Sequence, residues 1–203
     1  MADLATRYFV QPEMKLSALT VSPSTLPALC FAKKQMHQEV LSAWIRRTRF
    51  VVDGNNLSSL SPVNKFLRAV DGYRHVRMLA FTKINTFGDV YRYIEQSPKR
   101  LADKCPGLRS LVIDIDYYVL LDDNFKSLRP KEELEKELIF KPLFQLQSLR
   151  HLTVRVLVSE WRKQEIAQTG GLGSLKELVK SGFKEVGKSA IVRVEYKVTV
   201  VEN

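Results

Sequence analysis

The sequence predicts an α/β fold: a single domain of irregular β/α units whose strands form a largely parallel sheet. Three observations carry that expectation. The first is a phrase written three times, as Val76-Arg77-Met78-Leu79-Ala80-Phe81, Leu108-Arg109-Ser110-Leu111-Val112-Ile113 and Leu149-Arg150-His151-Leu152-Thr153-Val154. Each copy reads aliphatic, Arg, any residue, Leu, any residue, bulky apolar residue, and a repeated strand phrase implies a repeated unit stacked on its neighbours. The second is that helical patterns lie between the copies, and strands alternating with helices are the mark of a parallel sheet. The third is the near-perfect alternation of Ile191, Val192, Val194, Tyr196, Val198 and Val200, which closes the chain with another strand.

The elements follow in order. Residues 1–24 read as an N-terminal extension ending in the turn-rich run Ser22-Pro23-Ser24, and residues 25–203 as the domain. Thr25 caps a helix running to about Arg47, with Leu26, Leu29, Ala32, Met36, Val40, Ala43 and Trp44 on one face at spacings of three and four. Pro27 falls in its first turn, where a missing N–H is harmless. Arg49-Phe50-Val51-Val52-Asp53 reads as a strand stopped by Gly54-Asn55-Asn56. Ser61 and Pro62 open a helix to about Val70, and the first copy of the phrase supplies a strand near 75–83. Asp89 to Gln96 is expected to be helical, Ser97-Pro98 breaks it, and a short helix follows to Ala102. The second strand is expected near 108–119 and the third at about 149–158. Between them, Pro130-Lys131-Glu132-Glu133 starts a charged helix, with Pro at its first position and acids near the positive end of the dipole. Ser174-Leu175-Lys176-Glu177 is a capping-box pattern for a helix to about Ser181. Within the copies, Leu79 and Phe81, Leu111 and Ile113, and Leu152 and Val154 each share one sheet face by the period of two. Arg77, Arg109 and Arg150 stand at the strand entrances, where a long side chain reaches solvent.

Bulk properties bound the function. The chain has 203 residues, 45% of them hydrophobic, which is enough for a sizeable core. Thirty-two Lys and Arg against 22 Asp and Glu leave a formal charge of +10, suited to nucleic acid, an anionic membrane surface or an acidic protein face. Cys30 and Cys105 are too few and too far apart for a disulfide framework or a zinc site, and read as reduced thiols. The N-terminal residues lack the apolar core of a signal peptide, and no segment approaches the roughly 20 apolar residues of a membrane span. The expectation is an intracellular protein, cytoplasmic or nuclear, with no membrane partner and no cofactor.

The run Leu29-Cys30-Phe31-Ala32-Lys33-Lys34-Gln35-Met36-His37-Gln38-Glu39-Val40, followed by the strand Arg49-Phe50-Val51-Val52, resembles a segment of the F-box-like proteins of filamentous fungi. The stretch Phe66 to Leu79, a helix, a polar break and a strand opening on Arg and Leu, is similar too. The likeness covers roughly residues 26–84, and the Leu-Arg-x-Leu copies are consistent with that family's loose leucine-rich repeats. The F-box helix itself is not visible: Leu26-Pro27 is followed by Ala28 rather than an acidic residue. The resemblance implies a non-catalytic protein–protein interaction or adaptor module, with no active-site residues to transfer.

Other motifs name alternatives. Phe50-Val51-Val52-Asp53-Gly54-Asn55-Asn56 is similar to the first strand of PIN and NYN-type ribonucleases. On that reading Asp53, with Asp114 and Asp116, and with Asp122 and Asp123 in reach, would hold Mg²⁺ for phosphodiester hydrolysis. The plain reading is a strand ending in a Gly-Asn turn. Asp114-Ile115-Asp116 also echoes the metal-binding Asp-x-Asp of nucleotide-sugar transferases, against a solvated strand face. Gly170-Gly171-Leu172-Gly173 before a helix offers N–H groups to an anion, but lacks the lysine of a P-loop. His37, His75 and His151 are scattered and read as structural. Arg46, Arg47 and Arg49, with Lys99 and Arg100, are the densest basic clusters, fit for an anion or a partner and, as a further alternative, for nucleic-acid phosphates.

Overall fold

A computed structural model describes residues 13–15, 34–53, 60–84, 98–122, 127, 129–130, 132–134, 140–160 and 171–199. The strands are β1 (Glu13–Lys15), β2 (Arg49–Asp53), β3 (Met78–Ile84), β4 (Ser110–Asp116), β5 (His151–Ser159) and β6 (Ile191–Thr199). The helices are α1 (Lys34–Arg47), α2 (Leu60–Ala69), α3 (Pro98–Asp103), α4 (Lys141–Phe144) and α5 (Gly171–Glu185). All six strands join one sheet in sequence order, and every pairing is parallel. The sheet thus begins inside the segment that reads from sequence as an N-terminal extension, because Glu13 to Lys15 pair with Arg49 to Val51.

The repeated phrase sets the register. Leu79, Leu111 and Leu152 stand side by side, as do Phe81, Ile113 and Val154. These rows are sealed, each side chain at 0–1% exposure. The carbonyl of Arg77 accepts from the N–H groups of Arg109 (2.9 Å) and Ser110 (3.0 Å), and that of Arg109 accepts from Arg150 (2.9 Å) and His151 (3.0 Å). Ile191 N–H continues the series to the Arg150 carbonyl at 2.8 Å. The helices pack on the leucine side. Leu41, Trp44 and Ile45 of α1, Val63 and Leu67 of α2, Leu101 of α3, Leu143 of α4, and Leu175, Val179 and Phe183 of α5 share one core with those rows.

Local chemistry explains the helix ends. Thr48 closes α1, its hydroxyl and N–H both donating to the Trp44 carbonyl (2.8 and 2.9 Å). Trp44 meets Phe50 and Phe66 edge-on, tying α1 to β2 and α2. After α2, Asp71 takes a left-handed φ of 49° while Gly72 N–H donates to Leu67 O and Asp71 N–H to Arg68 O, the paired bonds of a Schellman motif. Gly187 (φ 68°) ends α5 the same way.

Three expectations change. The buried stripe of α1 is Leu41, Trp44 and Ile45, and Ala43 is exposed, because Trp44 wedged between Phe50 and Phe66 fixes the helix's rotation. The second phrase strand stops at Asp116: Tyr117–Leu120 is a 3₁₀ turn whose first free N–H, on Tyr118, is taken by the Asp116 carboxylate (3.1 Å). Ser174 lies inside α5, which starts at Gly171, so it caps nothing. Of the charged helix opened by Pro130, residues 132–134 are helical, with Glu133 and Leu134 N–H donating to the Pro130 carbonyl. The helices expected before Lys34 and over Asp89 to Gln96 lie outside the described residues.

The two faces give a direct test. Leu111→Ala should lower the unfolding free energy by about 2–5 kcal/mol, since the residue fills a sealed row. Ile191→Ala, at a side chain 64% exposed, should stay within about 0.5 kcal/mol. Urea unfolding of the two variants reads the difference.

Candidate interaction surface and cationic edge

Alternation that sends the leucines inward sends the intervening residues to the other face of the sheet. There the register builds rows of different chemistry. One holds Arg49, Met78, Ser110, His151 and Ile191, and the next Val51, Ala80, Val112, Thr153 and Arg193. Further along, Asp114, Arg155 and Glu195 lie abreast, then Asp116, Leu157 and Lys197. Ala80, Val112 and Asp114 at the centre are buried. The β5–β6 half is open: His151, Ile191, Arg193 and Lys197 are exposed, and Thr153, Arg155 and Leu157 are half-buried.

Asp114 and Arg155 organise this face. The guanidinium approaches the carboxylate as a fork, Nε to Oδ1 at 2.6 Å and Nη2 to Oδ2 at 3.1 Å. Asp114 is 2% exposed and its side chain would lose its hydration for nothing without that partner. Burial pushes its pKa above the ordinary value, against the opposing pull of the Arg155 hydrogen bonds and charge and of Lys197.

The three carboxylates named for metal chemistry have separate surroundings. Asp114 is held by Arg155, and Asp116, on the same face, accepts from Tyr118 N–H. Asp53 ends β2 opposite Thr82, two strands from Asp114, and its side chain lies outside the described ones. Asp122 is occupied with Ser127, whose hydroxyl donates to it at 2.7 Å; Asp123 lies outside the described residues. Among the described residues no three His, Cys, Asp or Glu side chains converge as a metal site. Gly171 to Gly173 form the first turn of α5. Cys105 is buried, and burial pushes its thiol up to about 12, so it stays protonated and unreactive; Cys30 lies outside the described residues.

The strand entrances gather the cations. Arg46 and Arg47 sit in the last turn of α1, where the helix dipole favours positive charge, and Arg49 opens β2. Lys99 and Arg100 lie in α3, away from β2 in the strand order. The charge of Arg46 is felt at His75 and at Arg77, that of Arg74 at the same His75, and that of Arg109 at the same Arg77. The Arg77 guanidinium passes over Gly107, where a Cβ would fall 1.6 Å from Nη1, and donates to the carbonyls of Arg74 (2.8 Å) and Val76 (3.1 Å). Burial and the charges of Arg109 and Arg46 lower its pKa. His75 is buried; its Nε2 accepts from Arg74 Nε at 3.2 Å, which leaves the proton on an unpartnered Nδ1. Burial first, then Arg46, Arg74 and Arg77, lower its pKa, opposed by Asp71. A groove of about 340 Å³ opens beside it, between α1 and the end of α2, lined in part by His37, Gln38, Arg68 and Arg74. Sequence reading singles out Arg46, Arg47 and Arg49 and misses His75 and Arg74. Both stand just ahead of the first copy of the phrase, whose Arg77 comes beside Arg109 when the copies stack.

Two outcomes follow. Arg155→Ala should cost about 2–3 kcal/mol, somewhat below the loss for a fully buried pair because Arg155 is 26% exposed. Asp114→Asn on that background should recover part of it in a double-mutant cycle of thermal melts. The folded chain binds a proton at His75 less readily than the unfolded chain does, so the stability tied to this ring is present above its ordinary pKa of 6.5 and is lost as pH falls through the lowered value. His75→Gln should flatten the acid side of a stability–pH curve below 6.5.

Among the described residues no helix is long and apolar enough to cross a membrane. Comparison with protein-family models, with curated proteins and with solved structures finds no match to this chain.

Proposed function

We propose that the chain is a non-catalytic protein–protein interaction module of the leucine-rich-repeat-like kind, meeting an acidic partner with the β5–β6 half of its open sheet face. One observation carries this reading: helices line the leucine side of a sequentially ordered parallel sheet, while His151, Thr153, Leu157, Ile191, Arg193 and Lys197 on the other side remain at least partly accessible. That patch joins apolar area to an excess of positive charge, and the chain as a whole carries +10. Apolar contact supplies affinity, while the charge steers an acidic surface into place. The likeness to fungal F-box-like proteins points the same way, toward the substrate-recognition part of an adaptor. Affinity capture from the source cells should recover one stoichiometric protein. Thr153→Glu, in the middle of the open patch, should abolish recovery. Lys184→Glu, exposed in the last turn of α5, should not.

A second reading has its own observation. The edge formed by Arg46, Arg74, Arg77 and Arg109 is a place for nucleic-acid phosphates. Its test is a mobility shift with generic RNA and duplex DNA that is strong at low salt and fades as salt rises; the absence of any shift at low salt removes this reading.

A further inference from the structure

Among the described residues, the edge strand β6 leaves the core unfinished. The rows that are sealed from β3 to β5 continue into Val192 and Val194, which are only half-buried, and the next residue on that face, Tyr196, is 47% exposed. The backbone is open as well. Ile191 N–H donates to the Arg150 carbonyl, so by strand alternation the odd-numbered residues of β6 turn their peptide groups toward β5. Val192, Val194, Tyr196 and Val198 turn theirs outward, and among the described residues no strand lies on that side. Repeat architectures normally close such an end with a polar cap, and nine residues of edge without Pro or Gly are a template for another strand. The opposite edge, β1, is only three residues long.

The sequence of β6 selects itself as the occupant. Antiparallel pairing must set outward-turned residues opposite one another. With Val194 facing Val194, Val192 faces Tyr196 twice and Arg193 faces Glu195 twice, so apolar meets apolar and each arginine meets a carboxylate. The exposed Ile191 then lies against the stem of Lys197. The next allowed register, Val194 opposite Tyr196, sets Glu195 against Glu195 and Arg193 against Lys197. Like charges directly opposite are unfavourable. We propose that two copies of this chain pair through β6 in antiparallel fashion, centred on Val194, to form a two-fold symmetric dimer with one continuous sheet.

Sedimentation velocity of the full chain, across concentrations to tens of micromolar, tests this. The wild-type chain should reach twice the chain mass. Arg193→Glu, which sets glutamates opposite glutamates at two places, should weaken dimerisation about tenfold or more. Combining it with Glu195→Arg should restore the dimer. Val194→Pro removes the central outward N–H without removing a bond to β5, and should give a monomer whose melting temperature stays close to that of the wild-type monomer. Amide exchange at Val192, Val194 and Tyr196 should slow as concentration rises. A wild-type chain that stays monomeric overturns the proposal, as does an Arg193→Glu or Val194→Pro chain that dimerises normally. Assemblies that keep growing with concentration would mean β6 stacking on β1 of the next copy, and also overturn it. Rescue by Glu195→Arg with Lys197→Glu, in place of the Arg193 swap, would overturn the register.

Discussion

The doubly accepting carbonyls of Arg77 and Arg109 hold the architecture in register. Each takes two N–H groups from the following unit just before the strands begin, so the next strand enters at a fixed height. A slip of one residue would turn Leu111 or Leu152 to the open side and Ser110 or Thr153 into the core. The aliphatic residue before each arginine, Val76, Leu108 or Leu149, is buried and anchors the turn that precedes the carbonyl. Both the hydrogen bonds and the burial therefore enforce the same alignment.

That alignment also decides where charge sits. Stacking the phrase stacks its arginines, which produces a row of like charges that the isolated sequence does not display. The fold accommodates them by local means. Arg77 turns back onto two carbonyls above Gly107, and Asp71 pairs with Arg74 at 2.9 Å on the surface. His75 stays neutral among them. On the open face the same register places Asp114 beside Arg155, so a carboxylate in a buried strand centre acquires a partner from the neighbouring unit, 41 residues on.

Much of the fold is legible in the sequence because period-two burial is a local signal. The phrase strands, the Arg49–Asp53 strand and the final strand follow from it, and the helical patterns between them give the parallel arrangement. The illegible parts depend on contacts between units. Ala43 and Leu41 are both apolar and both fit a helical face; only the aromatic contacts of Trp44 decide which one is buried. Asp116 reads as one of a pair of metal ligands until the turn after it is seen to need its carboxylate. The candidate surface was half legible: Arg46 and Arg49 stand out as sequence neighbours, but the approach of Arg46 to His75 and Arg77 is set by the fold, and the Asp114–Arg155 fork spans two units.

The order β1 to β6 has a kinetic consequence. Among the described residues no strand pairs with another more than one unit away in the chain, so the loop closed at each step is one unit long. Structure can begin on any adjacent pair and grow outward in either direction. Among the described residues, strands β2 to β5 are flanked on both sides, and β1 and β6 on one. Opening therefore starts at the ends and moves inward, and the slowest-exchanging amides belong to the sealed middle rows of β4.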